Sequence, residues 1–293
     1  MLKNKLLNNE LCIGSWCQIG HPANAEILAQ AGFSWIALDA EHGEVEDADI
    51  GNFCRAVKPA AALVRVKENA ALPIRRALDL GAAGVIVPLV NNAAEAQKAV
   101  KSAKYPPDGI RGFAWQRGND WGAKFDVYAK CFEPVVIVMI ESKEAVANID
   151  EILQVDGVDG VFIGPYDMSG SYGITGQTGH QIIQDACIKV AEACRKYRKA
   201  AGQHIVIPNH DNVKKAIQQG YTFIALGMDS YFLQQGAKSA LAMGNALSTT
   251  SIISTANLAV RQSTITAHYW TTGAGSTPTA GPSVKVRKSP MPT

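Results

Sequence analysis

Asp39 and His42 stand three residues apart in "WIALDAEHGEVED" (residues 35–47), directly after an apolar run. A carboxylate at that spacing can fix an imidazole tautomer and raise its basicity, although a solvated polar turn has the same pattern. Arg65 lies inside the apolar "AALVRV". A guanidinium stays charged, so burying it requires an anion: a bound carboxylate, a developing enolate, or a structural Asp or Glu. Glu141 closes "PVVIVMIE", and Asp167 follows "GVFIG" in "GPYDMSG". Two carboxylates with water completing the shell suit a hard divalent ion such as Mg²⁺ or Mn²⁺, with positions left for a chelating substrate. The same two residues could instead cap the helices beside them. The glycine-rich "GPYDMSGSYG" offers backbone N–H groups for a carboxylate. Lys67 opens a competing chemistry, a Schiff base, against its reading as a solvated loop lysine. Glu44, Glu46 and Asp47 read as solvated acids leading into a helix; Glu41 either braces the loop or tunes the histidine.

These residues need a scaffold that gathers strand ends. Eight short apolar runs recur: "CIGSWCQI", "FSWIALDA", "AALVRV", "GVIVPLV", "PVVIVMIE", "GVFIG", "GQHIVI" and "FIALG". Helix-like segments alternate with them, among them "ANAEILAQAG" and "DNVKKAIQQG", several ending on a C-capping glycine. Nearly continuous apolar strands are those of a parallel sheet covered on both faces. Eight βα units predict an α/β protein, a TIM (β/α)8 barrel over residues 1–245, with a doubly wound open sheet as the alternative. In a barrel the C-terminal strand ends carry function, which brings Asp39, His42, Arg65, Lys67, Glu141 and Asp167 to one mouth. A long aromatic insertion after the fourth unit, "YPPDGIRGFAWQRGNDWGAKFDVYAKCFE", reads as a functional loop.

Residues 246–293 change character. They are rich in Ser, Thr, Gly and Pro, without sustained period, and predict a disordered tail. The tail holds four basic and no acidic residues; the remainder has 24 basic against 26 acidic, a mildly acidic body unsuited to nucleic acid. Six scattered cysteines form no zinc spacing and read as reduced thiols, and no long apolar span or signal core is present, so a cytoplasmic location with no membrane partner is expected.

Taken in order, "LDAEHG", "VRV", "GVIVP", "VIVMIE" and "GVDGVFIGPYDMSGSYG" resemble the HpcH/HpaI aldolase family, the metal-dependent class II pyruvate aldolases, over about residues 10–243. The resemblance implies a barrel of the phosphoenolpyruvate/pyruvate type. It implies that Glu141 and Asp167 hold a divalent cation (Mg²⁺, Mn²⁺ or Co²⁺), that Asp39 orients the base His42, and that Arg65 stabilises an enolate. The backbone of Gly164, Pro165, Tyr166 and Asp167 would hold the substrate carboxylate. The implied reaction cleaves a 4-hydroxy-2-oxo acid, of the 2,4-dihydroxyhept-2-ene-1,7-dioate type, to pyruvate and an aldehyde, and runs the reverse aldol addition. Alternatives are a macrophomate synthase-like oxaloacetate decarboxylation with C–C bond formation, a 3-hydroxyacyl-CoA lyase, or a non-catalytic acid-binding barrel or assembly subunit. Two departures bear on substrate: Met139 stands where many members carry glutamine, and Trp115 and Trp121 would shape an aldehyde pocket beside the retained Arg111–Gly112. A homo-oligomer, trimer or hexamer, is implied as well.

Overall fold

The structure, a computed structural model, describes residues 1–246. The disordered-tail expectation falls, from residue 247 onward, outside the described residues. The chain divides into two compact units, Met1–Gly236 and Ala237–Thr293. Of the second, residues 237–246 are described and are helical.

In the first unit the strands are β1 (Cys12–Cys17), β2 (Trp35–Asp39), β3 (Ala61–Arg65), β4 (Gly84–Val87), β5 (Val135–Ile140), β6 (Gly160–Ile163), β7 (Ala200–Ile205) and β8 (Phe223–Met228). Each pairs in parallel with the next, and β1 pairs with β8 through Cys12↔Phe223 and Ile13↔Ile224, so the barrel is closed. Closure rules out the open sheet. Six strands fall within the apolar runs, and β8 runs one residue past its own, to Met228. β7 instead starts at Ala200, two residues before its run, and stops at Ile205, leaving Val206 and Ile207 exposed.

Alternate residues divide the strands between two cores. Val136, Val138 and Ile140 of β5 pack outward under the helices, whereas Val135, Ile137 and Met139 face the barrel axis. Both faces are therefore dry, which is why β5 reads as an unbroken apolar run. The axis is filled by Trp16, Trp35, Phe162 and Phe223. Trp35 stacks on Phe223 at 4.1 Å between ring centroids, and Phe162 meets Trp16 edge-on at 5.5 Å. Each such buried ring contributes about 2–3 kcal/mol by leaving water. The helix Leu2–Leu7 closes the N-terminal end: Leu2 and Leu6 join the inner core, and Lys3 Nζ donates to Asp159 Oδ2 at 3.1 Å and to the Pro134 carbonyl at 2.8 Å. With the axis plugged and one end closed, the C-terminal ends of the strands are left to form a mouth.

Candidate active site

Strand register builds the first part of the mouth. Asp39 ends β2 and Arg65 ends β3, and the two are direct partners in the ladder. Both project inward, and their side chains meet: Arg65 Nε donates to Asp39 Oδ1 at 2.9 Å and Nη2 to Oδ2 at 2.6 Å. The anion demanded by the largely buried Arg65 is thus a structural carboxylate, in two-pronged geometry. Asp39 is 1% exposed. Burial by itself raises its pKa, but the hydrogen bonds and charge of Arg65, with those from His42 N–H and Gln18, outweigh that and hold it below the ordinary value. The guanidinium also lies 4.8 Å over the Trp16 ring, and Nη1 faces Met139 Sδ at 3.9 Å.

The expected orientation of His42 by Asp39 takes a different form. Asp39 Oδ1 accepts from the backbone N–H of Glu41 (3.2 Å) and of His42 (3.1 Å), an Asx-type turn that fixes the loop. Three residues of tight turn bring amides, not the ring, over the carboxylate. Gly43 completes the turn because a Cβ there would lie 2.3 Å from the Asp39 carbonyl oxygen. The His42 ring is 64% exposed, with Glu41 Oε2 3.8 Å from its Nε2. Glu41 in turn lies 3.3 Å from Arg65 Nε, so it joins the histidine to the Arg65–Asp39 pair. Burial pushes the Glu41 carboxyl up against the opposing pull of Arg65 and His42.

Glu141 follows β5 and is buried. It caps no helix: Ser142 Oγ accepts from Ala145 N and takes that role. Glu141 Oε1 instead accepts from Leu89 N at 2.7 Å, an amide turned inward by the left-handed φ of 54° at Leu89. That conformation is uncommon for a residue with a Cβ. Burial raises the Glu141 pKa; the Leu89 amide opposes this, and nearby Glu41 and Asp167 add to it.

Asp167 stands in the first turn of the helix Pro165–Ser171, with Gly164 at the N-cap. A Cβ on Gly164 would sit 3.1 Å from Glu141 Oε2 and 3.6 Å from Asp167 Oδ2, so the two carboxylates flank one small space. The expected backbone cradle narrows. Gly164 N–H is taken by the Ile140 carbonyl at 3.1 Å and Pro165 has none, which leaves the amides of Tyr166 and Asp167, without intrahelical partners by helix geometry. Lys67 is an exposed partner of Glu46 at 3.7 Å. Among the described residues no group of three or more His, Cys, Asp or Glu could hold an ion, so a cation here would have only the two carboxylates as side-chain ligands.

Sequence reasoning missed Leu89 and His204 in this region and named Arg111 without its contacts. Leu89 gives no signal, since leucine does not mark left-handed turns. His204, at the inward end of β7, was hidden inside an apolar run. Arg111 anchors the insertion from within: it donates to Asp79 Oδ1 at 2.8 Å and lies over the rings of Tyr105 and Tyr128 at 4.5 and 5.5 Å. Trp115 and Trp121, expected to wall an aldehyde pocket, are 75% and 68% exposed in the single chain.

The fold is a closed parallel (β/α)8 barrel whose C-terminal mouth carries the Arg65–Asp39 pair, Glu41, Glu141 and Asp167. The HpcH/HpaI aldolase/citrate lyase family model matches residues 13–235, and the chain belongs to that family. It is 36% identical over 231 residues to a 5-keto-4-deoxy-D-glucarate aldolase of Klebsiella pneumoniae, covering 78% of this chain and 90% of the relative. It is also 36% identical over 242 residues to a 4-hydroxy-2-oxo-heptane-1,7-dioate aldolase of Escherichia coli, covering 81% and 92%. A crystal structure of a family member from Burkholderia cenocepacia superposes with a TM-score of 0.80 at 29% identity, covering 83% of this chain and 98% of the other. No helix among the described residues is long and apolar enough to cross a membrane.

Proposed function

We propose that the enzyme cleaves a 4-hydroxy-2-oxo acid to pyruvate and an aldehyde, and catalyses the reverse addition, with a divalent cation held by Glu141 and Asp167. The observation that carries this reading is the pair of carboxylate oxygens flanking Gly164 beside the pinned Arg65. The donor set fits a hard cation: both ligands are oxygens, and a buried Glu141 with a raised pKa is a carboxylate in want of positive charge. Bound there, such a cation (Mg²⁺, Mn²⁺ or Co²⁺) would act as a Lewis acid toward the 2-oxo acid. The chain's own residues supply the rest. His42, exposed at the mouth and next to Glu41, takes the C4 hydroxyl proton directly or through a water as the C3–C4 bond breaks, and the enolate so released is protonated at C3 to give pyruvate. Arg65, fixed by Asp39, presents its charge to the enolate oxygen without having to reorganise. Tyr166 and Asp167 amides receive the substrate carboxylate. The proposal includes a homo-oligomer, trimer or hexamer, and a cytoplasmic location, to which the six free cysteines are suited.

The test is pyruvate release from several 4-hydroxy-2-oxo acids. EDTA is expected to abolish it and Mg²⁺, Mn²⁺ or Co²⁺ to restore it. Activity that survives chelation and is trapped by borohydride would transfer the mechanism to Lys67. Gly164→Ala gives a second check. Its Cβ would stand 2.9 Å from Glu141 Cβ, so the two strand ends must part. We expect about a hundredfold loss of turnover from misplacing a ligand, with a stability cost of about 1–3 kcal/mol, read by kinetics and urea unfolding. Full activity in this variant would mean that the two carboxylates need no such close approach.

A further inference from the structure

One polar group at the mouth has no part in that chemistry. His204 lies on β7 two residues beyond Gly202 and pairs with the inward-facing Ala225 of β8, while Ala201 and Ile205 pack in the outer core. The imidazole therefore faces the axis. Its Nε2 is 3.0 Å from the Gly227 carbonyl, and its ring centroid is 6.0 Å from that of Trp16. A carbonyl oxygen only accepts, so Nε2 carries the proton and Nδ1 is left as an acceptor. Burial, aided by the charge of Arg65, holds the pKa down to about 4, against the smaller upward pull of the Gly227 hydrogen bond. At neutral pH the ring is uncharged: it can hydrogen-bond a substrate without serving as an ion partner.

Asp39 and Arg65 end β2 and β3, and Glu141 and Asp167 follow β5 and β6. The arc from β7 to β1 contributes the uncharged side chains of His204, Trp16 and Gln18, while Asp229, which follows β8, is buried and taken up by the Gln18 and Ile19 amides at 2.9 and 3.0 Å. Trp16, 4% exposed, has an indole Nε1 with no partner among the described residues. If the pyruvyl half sits against the β5–β6 carboxylates, this arc is left for the other half.

Resting on the aldolase reading above, we propose that His204 determines specificity by accepting, at Nδ1, a hydrogen bond from a hydroxyl on the aldehyde half of the substrate. Hydroxylated aldehydes are then preferred over alkyl aldehydes of the same size, because an alkyl group would desolvate the acceptor without pairing it.

The experiment measures kcat/KM for Mn²⁺-supported addition of pyruvate to glycolaldehyde and to propanal, using the full chain. The ratio between the two aldehydes is compared in wild type, His204→Leu, His204→Met and His204→Gln. Exchange of the pyruvate methyl protons with deuterated water, which needs no aldehyde, is followed in parallel by NMR. The ratio is expected to fall about five- to tenfold in His204→Leu and His204→Met, with proton exchange within about twofold of wild type. His204→Gln, which keeps an acceptor, should retain most of the preference. Either apolar variant exchanging protons normally while keeping the wild-type ratio would overturn the proposal. A wild-type enzyme that neither exchanges pyruvate protons nor forms any aldol product would overturn the aldolase reading, and this inference with it.

Discussion

Arg65→Ala is expected to lower turnover by about a hundred- to a thousandfold, since it removes a preorganised charge from the place where the enolate develops. Binding of the cation should persist, because neither Glu141 nor Asp167 depends on Arg65 for a hydrogen bond. The same substitution strips Asp39 of its partner. A carboxylate 1% exposed then stays buried and unpaired, at a cost of about 3–5 kcal/mol in urea unfolding at pH 7.

The pH dependence separates these effects. In the wild type Asp39 has a folded pKa below its unfolded value, so its stabilisation is present above the ordinary carboxylate range and is lost as pH falls through the lowered value. In Arg65→Ala only the His42 and Gln18 hydrogen bonds are left to oppose burial, and the sign is expected to invert: the penalty is full at neutral pH and fades as Asp39 takes up a proton. The stability gap between the two proteins should narrow from pH 7 toward pH 4. A double variant, Arg65→Met with Asp39→Asn, should recover most of the stability and none of the turnover, since an asparagine oxygen can still accept from the Glu41 and His42 amides. A single variant with normal turnover would remove Arg65 from the chemistry; a gap that widens in acid would contradict the pairing.

That pairing shows where sequence reading reaches and where it stops. The apolar runs place Asp39 and Arg65 at the ends of neighbouring strands because two-sided burial makes parallel strands continuous in sequence. Their contact is a matter of register, Asp39 opposite Arg65, which no periodicity reports. With two carboxylates and a histidine near one arginine, residue types alone leave the pairing open. The Asx turn was legible in principle: an aspartate two and three residues before available amides, followed by glycine, is a turn signature. The turn takes Oδ1, and Arg65 and Gln18 take Oδ2 at 2.6 and 3.3 Å, so both carboxylate oxygens are engaged away from the imidazole.

His204 and Leu89 escaped for different reasons. The run "GQHIVI" has enough aliphatic residues to read as a strand, and the reading started it at Gly202. The strand begins at Ala200, and the alternation of Ala200, Gly202 and His204 toward the axis marks the histidine as inward-facing. Leu89 adopts a left-handed conformation, and its role lies in a backbone N–H that any residue but proline would provide. Tertiary structure, not side-chain chemistry, selects it.

Glu141→Gln should separate the needs of the fold from those of the site. A carboxyl whose folded pKa is raised contributes stability that is present in acid and lost as pH rises through the raised value. At pH 7, without a cation, the charged Glu141 therefore weakens the protein. Glutamine removes the buried charge and keeps an oxygen to accept from the Leu89 amide, now 2.7 Å from Glu141 Oε1. In EDTA the variant is expected to melt above the wild type at pH 7, with the difference closing near pH 4. Added Mn²⁺ should reverse the order: the wild type gains about 2.7 kcal/mol at a hundredfold excess over Kd, and the variant gains little. Turnover should fall by about a thousandfold or more, the loss of several kcal/mol of Lewis-acid stabilisation. Equal stabilisation of both proteins by Mn²⁺ would exclude Glu141 as a ligand. A variant less stable than wild type in EDTA would mean that the negative charge of Glu141 serves the fold itself.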